Sequence, residues 1–138
     1  MARIYLAARY SQRDEMLGVA DTLRSLGHEI TSRWIEGDHQ IDDHGLSAEA
    51  KAEERTRFAQ EDWEDLWAAN WVISFTEAPR SSNSRGGRHV EFGAAMAWGK
   101  RCIVVGPREN VFHYLPGIEV FGSWGELVTA LTPLQRRA

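Results

Sequence analysis

Five short apolar runs recur along this chain, each followed by a stretch with helical spacing, and that alternation restricts the fold more than any other feature. The runs are Arg3-Ile4-Tyr5-Leu6-Ala7, His28 to Trp34, Trp71-Val72-Ile73-Ser74-Phe75, Arg101 to Val105, and Glu119 to Phe121. Between the first two, Ser11 offers a helix cap with Asp14 three residues on, in the manner of a capping box. Met16, Val19, Ala20, Leu23 and Leu26 then form an apolar stripe that Gly27 terminates. A long charged helix is predicted from Ser47 to about Asn70, another around Glu91, a short turn or helix over Asn110–Leu115, and a last helix over Trp124–Leu131 capped by Ser123. Strands alternating with helices predict a parallel sheet covered on both faces. Five strands in 138 residues favour one α/β domain over residues 1–138, flavodoxin-like (Rossmann-like), with strand order 2-1-3-4-5. The switch point then lies between strands one and three, where the loops Ala8–Gln12 and Thr76–Gly87 meet and where ligands of such sheets bind.

Bulk properties narrow the function. A net charge of -4 argues against nucleic acid or an anionic membrane as partner. No apolar run has the length of a membrane span, and no signal-peptide pattern opens the chain. Cys102 is the only cysteine, so an intrachain disulfide and a Cys-rich metal site are excluded. A thiol within Cys-Ile-Val-Val is expected to be buried and inert, which fits a reducing cytoplasm. Six tryptophans point to a large aromatic core, a subunit interface or a base-stacking pocket. Trp63, Trp67 and Trp71, at i, i+4 spacing, suggest a seam between subunits of a homodimer or larger oligomer.

Two acids stand where apolar residues belong. Glu91 shares a helix face with Ala94, Ala95 and Trp98, so its carboxylate is expected in the first helical turn, facing the strand ends. Either it is a nucleophile or general base, or it merely complements the helix dipole. Asp62 interrupts the stripe Phe58, Leu66 and Ala69, whereas Glu61, Glu64 and Asp65 are free to point to solvent. Asp62 is either a boundary acid paired with an arginine or a second acid beside the same cleft. Tyr5 lies in the first strand, toward the switch point; a strand tyrosine taken alone is more often core. A nucleophilic carboxylate, a second acid and a phenol together suit the breaking of a glycosidic bond through a covalent sugar ester.

These residues carry a resemblance. Tyr5 in Ile-Tyr-Leu-Ala-Ala, Asp62 in Asp-Trp-Glu-Asp-Leu-Trp-Ala-Ala-Asn, and Glu91 in Gly-Arg-His-Val-Glu-Phe-Gly-Ala-Ala-Met-Ala-Trp-Gly-Lys resemble the nucleoside 2-deoxyribosyltransferase family, which includes nucleoside 5′-monophosphate N-glycosidases. The likeness runs over about residues 3–131. It implies Glu91 as nucleophile, Asp62 as the acid at the base or its proton, and Tyr5 as the group that holds the nucleophile. It also implies a small nucleoside or nucleotide partner, no cofactor, and a place in nucleotide salvage. Two positions depart from the pattern. Six residues before the nucleophile the transferases commonly have an aspartate and the monophosphate hydrolases a serine, whereas this chain has Arg85. Asn70 replaces an aspartate that closes the preceding helix in many relatives, a position expected to be structural.

The Ser81–Arg88 loop is either a solvated loop or an anion cradle. Ser82, Ser84, Arg85, Gly87 and Arg88, a helix N-terminus, and Arg9, Ser11 and Arg13 after strand one would suit a 5′-phosphate. This tilts the expectation toward hydrolysis of a (deoxy)nucleoside 5′-monophosphate, ahead of base exchange between free deoxynucleosides and of a nucleotide-sensing module without chemistry. Asn110 falls in a region that resembles the family segment offering an asparagine to a neighbouring subunit's site, although a turn-forming asparagine is the better reading. Other signals carry less. His89-Val90-Glu91 lacks the Pro-Cys-x-x-Cys half of a zinc deaminase. Asp38, His39, Asp42, Asp43 and His44 lack a helix to fix a metal and read as a lid-like loop. Neither a Walker nor a dinucleotide fingerprint is present, and no metal is expected.

Overall fold

The computed structural model describes residues 1–37, 51–79, 81 and 86–133. Five strands, β1 (Arg3–Ala7), β2 (Glu29–Ile30), β3 (Trp71–Phe75), β4 (Arg101–Val105) and β5 (Glu119–Phe121), form one sheet in the order β2-β1-β3-β4-β5. Every pairing is parallel, with Tyr5 opposite Val72 and Val72 opposite Cys102. Ile4 to Ala7 are all buried, as are Val72 to Phe75 and Cys102 to Val105. Successive side chains of a strand point to opposite faces, so both faces of the central sheet are covered. The predicted α/β architecture and strand order are therefore present.

The helices are α1 (Arg13–Ser25), α2 (Ala52–Ala68), α3 (Gly87–Ala97) and α4 (Trp124–Leu131). Gly27 ends α1 as expected: at φ +94° it lets His28 N–H reach Leu23 O (3.1 Å) and Gly27 N–H reach Arg24 O (3.0 Å), a Schellman closure. Ser123 caps α4 by accepting from Glu126 N–H at 3.2 Å. Asn70 pins β1 to the start of β3, its Oδ1 accepting from Arg3 N–H (2.9 Å) while its own N–H donates to Arg3 O (2.7 Å). α2 and α3 pack on each other and both touch β1, which brings Asp62 and Glu91 over the same strand.

Three expectations need correction. Ser11 does not cap α1. Tyr10–Gln12 form a 3-10 turn whose own hydrogen bonds lead into the helix, with Gln12 at the cap position and Ser11 exposed. The second strand stops at Ile30 rather than Trp34, because the chain turns into a 3-10 helix over Arg33–Ile35. Asp65 does not face solvent: it is 7% exposed and holds Arg33 through Oδ1 and Nε at 2.9 Å. The described part of the second helix ends at Ala68, and Ser47 lies outside the described residues, as do the acid and histidine cluster 38–44, read as a lid-like loop, and the C-terminal tail from 134.

Gly106, directly after β4, lies tightly against Thr76. It adopts φ +117°, and a Cβ there would lie 2.6 Å from Thr76 Oγ1 and 3.0 Å from Thr76 O. Gly18 is its opposite, a helical glycine in α1 where an added methyl would meet nothing within 4 Å. Gly106→Ala is expected to cost about 2 kcal/mol or more through strain and clash. Gly18→Ala should instead stabilise by about 0.5–1 kcal/mol. Urea unfolding of both variants checks the pair; equal effects would contradict the packing at Thr76.

Candidate active site

The cleft is built from β1 outward. Tyr5, fully buried in β1, points its phenol at α3, where its OH donates to Glu91 Oε2. Glu91 is the fifth residue of α3 and so lies beyond the first turn. That corrects the expected placement and removes the helix-dipole explanation, which fades within that turn. Asp62 comes from the middle of α2. Together with Ala8, Tyr10 and Trp34 these three residues line one polar cavity of about 160 Å³. The three residues singled out for chemistry thus share a single cleft beside β1.

Its electrostatics are set by burial. The Glu91 carboxyl is pushed up from 4.5 to about 8, first by desolvation and further by the negative charge of Asp62, while the Tyr5 hydroxyl opposes the rise. Tyr5 is held well above its ordinary value by burial, with Glu91 and Asp62 adding to the effect. The phenol therefore stays protonated and can only donate to the carboxylate. Chemically this is an acid whose anion is costly when the cleft is empty, backed by one neutral donor.

The expected substrate-binding residues are scattered. Arg9 sits at the cleft side of β1 in an ion pair with Glu77 at 3.3 Å. Arg13 pairs with the exposed Asp14 at 3.4 Å, and Gly87 is the exposed first residue of α3. Arg88 is turned inward, 6% exposed, with Nη2 on Glu109 at 2.6 Å and on Glu77 at 3.4 Å. Those two carboxylates already neutralise it, which corrects the expectation that it faces an anion. Ser82, Ser84 and Arg85 lie outside the described residues. Asn110 caps the 3-10 turn Val111–Tyr114, accepting from Phe112 N–H at 3.0 Å. It borders a different concavity, an apolar groove of about 530 Å³ between α3 and that turn. Among the described residues no group of three His, Cys, Asp or Glu is arranged to hold a metal, and no helix is long and apolar enough to cross a membrane.

The sequence reading missed two walls of the cleft, Tyr10 and Trp34. Trp34 is 5% exposed and donates its indole N–H to Leu6 O at 2.7 Å, with its ring tilted against Tyr10 at a centroid distance of 6.3 Å. The signal was present: Ser-Arg-Trp ends the second apolar run, at the same sheet end as the loop leaving β1.

No protein-family model matches the sequence, and no curated protein matches it. Solved structures do share its fold. A 2-deoxyribosyltransferase from Bacillus psychrosaccharolyticus superposes with a TM-score of 0.68 at 20% identity, over 94% of this chain and 96% of that one. A CMP N-glycosidase from Clostridium botulinum gives 0.58 at 21% identity over 94% and 96%. A conserved protein from Enterococcus faecalis gives 0.62 at 16% identity over 95% and 97%.

The buried carboxyl makes a thermodynamic prediction. Glu91 ionises near 8 when folded and near 4.5 when unfolded, so the folded chain retains a proton that the unfolded chain releases. Its contribution is complete below about 4.5 and is lost as pH rises through 8, at no more than about 1.4 kcal/mol per pH unit. Glu91→Gln cannot titrate. Its stability advantage over the natural chain should therefore grow from pH 5 to pH 8 in parallel urea titrations. A constant difference would show that Glu91 is not protonated in the folded cleft.

Proposed function

We propose that this protein is an enzyme of the nucleoside 2-deoxyribosyltransferase kind that cleaves the N-glycosidic bond of a (deoxy)nucleoside or its 5′-monophosphate. The observation that carries this reading is the Tyr5–Glu91 hydrogen bond in a cleft shared with Asp62. The fold held in common with a 2-deoxyribosyltransferase and a CMP N-glycosidase supports it. In the first step a Glu91 carboxylate oxygen attacks the anomeric carbon as the carbon–nitrogen bond breaks, and Asp62 gives a proton to the departing base nitrogen. In the second, water attacks the same carbon, the sugar–Glu91 ester opens, and a proton from the water restores Asp62. A second free base replacing water would make the reaction a base exchange. Tyr10 and Trp34 offer aromatic surface to the base, and Tyr5 keeps the attacking carboxylate aimed.

Glu91→Ala should lower base release more than about a thousandfold, the scale for a missing nucleophile. Wild-type release by that variant would remove the covalent mechanism. Because attack requires the anion, kcat/KM should rise with pH to a limb near 8. The Tyr5 hydroxyl lowers the Glu91 value, so Tyr5→Phe should move that limb upward; a limb that stays in place or moves down would deny Tyr5 this role. Base release from a panel of nucleosides and monophosphates, with and without a free acceptor base, reads all of these chromatographically.

The hydrolase form acting on a 5′-monophosphate is our first choice. It is supported by the sequence of the loop leaving β1, with Arg9, Ser11 and Arg13, and by the composition of Ser82, Ser84 and Arg85 ahead of α3, whose first residue is Gly87. Arg85→Ala should weaken monophosphate use by about 1.5–3 kcal/mol, the scale of a hydrogen bond to a charged group. Free nucleosides should be unaffected, and Arg85→Lys should recover part. If Arg85→Ala changes neither substrate, base exchange on free deoxynucleosides becomes the better reading. The inward turn of Arg88 already counts in that direction.

We also infer a homodimer or larger assembly. Trp63 and Trp67 are 48% and 63% exposed, and each rests edge-on against Trp98. Trp71 belongs to β3 instead and packs beside His28. Sedimentation of a concentration-independent monomer would refute the assembly. Cys102 is buried and its thiol is raised to about 11 by desolvation, the inert thiol expected of its strand.

A further inference from the structure

Asp65 is a buried carboxylate on the most charged helix of the chain, one turn beyond Asp62. Its Oδ2 accepts from the backbone N–H of Arg33 at 2.9 Å, and its Oδ1 accepts from Arg33 Nε at 2.9 Å. The contact continues on both sides. Thr31 Oγ1 donates to the Asp65 carbonyl at 2.8 Å, and Arg33 Nη2 reaches the Glu64 carboxylate at 3.2 Å. Exposed ion pairs contribute little, but this one includes a backbone donor, a shielded carboxylate and two-point geometry, which fix direction as well as distance.

What the pair joins is the cleft. Asp62 and Asp65, three apart on α2, lie on neighbouring positions of one helix surface. Arg33 opens the 3-10 turn that carries Trp34, whose indole is in turn bonded to Leu6 O next to Tyr5. Two of the cleft walls, Asp62 on α2 and Trp34 on the turn, therefore come from segments that no shared strand or helix connects. We propose that the Arg33–Asp65 pair is a positioning device that sets Asp62 and Trp34 in register across the cleft. Neither residue touches the reacting atoms; both act through the groups beside them. The role in turnover rests on the N-glycosidase reading above, since a misplacement of about 1 Å in a catalytic group can cost about a hundredfold in rate.

The test uses the full chain labelled with 5-fluorotryptophan, with the Trp34 fluorine resonance assigned by Trp34→Phe, alongside base-release kinetics on whichever panel substrate turns over fastest. Asp65→Ala should lower kcat at least tenfold with a smaller change in KM, and should shift or broaden the Trp34 resonance. Asp65→Asn, which keeps an acceptor for the Arg33 N–H, should recover part of both. Leu127→Ala, which opens the core under α4, should lose stability but keep kcat and the Trp34 resonance. Should Asp65→Ala fail to fold, Arg33→Ala removes the half-exposed guanidinium from the other side and should give the same two changes. An unmoved Trp34 resonance in a folded clamp variant, with or without loss of kcat, overturns the proposal. If the natural chain releases no base from any substrate, the N-glycosidase reading falls, and the Trp34 resonance alone still decides the register.

Discussion

The bond between the Tyr5 phenol and the Glu91 carboxyl is the constraint around which the cleft is arranged. It runs from a fully buried position of β1 to a helix that buries Arg88, Phe92 and Ala95. A carboxyl in that position has few acceptable partners. An arginine would stabilise the anion and hold it as a spectator ion pair. A phenol donates one neutral hydrogen bond, enough to orient an oxygen but too little to offset desolvation, so Glu91 rests near 8. The carboxylate formed from it is poorly stabilised by its surroundings, which is the condition for a reactive oxygen nucleophile.

Three other acids near this end of the sheet are treated differently. Asp65 has Arg33, Glu109 has Arg88, and Glu77 lies between Arg9 and Arg88. These pairs join loop to loop and helix to turn, fixing the frame in which the cleft sits. Arginines that look available for an anion in the sequence are thereby partly consumed by the frame. Arg88 illustrates this: its helical position directs it inward, where burying a guanidinium requires carboxylates within reach. Glu77 and Glu109 meet that requirement from the loops after β3 and β4.

How much of this the sequence disclosed depends on whether a feature is local. Trp71–Phe75 and Arg101–Val105 were legible to the residue, and a strand near Glu119–Phe121 in outline, because apolar runs bounded by polar residues leave no competing structure. Glu91 and Asp62 were legible because an acid in an apolar stripe violates helical periodicity. Asp65 was not, since on a helix rich in Glu and Asp an acid one turn from Asp62 looks like any solvated residue. Only Arg33, distant in sequence, distinguishes it. Ser11 and Asp14 matched a capping box, yet a preceding 3-10 turn moves the cap position to Gln12, so Ser11 no longer stands where it could cap.

The premature end of β2 shows how a failed strand makes a site. Glu29 N–H bonds Ala2 O and Thr31 N–H bonds Ile4 O, each at 2.9 Å, as a parallel ladder requires. The next peptide group on that edge of β1 belongs to Leu6, and it is met by side chains instead. Ser32 Oγ accepts from Leu6 N–H at 3.2 Å, and the Trp34 indole donates to Leu6 O at 2.7 Å. No backbone group of Leu6 is left unpaired, so the chain is released from the ladder at no cost in buried hydrogen bonds. Had β2 continued through Trp34, backbone groups would have occupied the edge beside Leu6. The indole would then have stood on a sheet face rather than at the cleft. The tryptophan therefore completes the β1 edge with its polar end and walls the cavity beside Tyr5 with its ring, which is why that position suits an aromatic side chain bearing a donor.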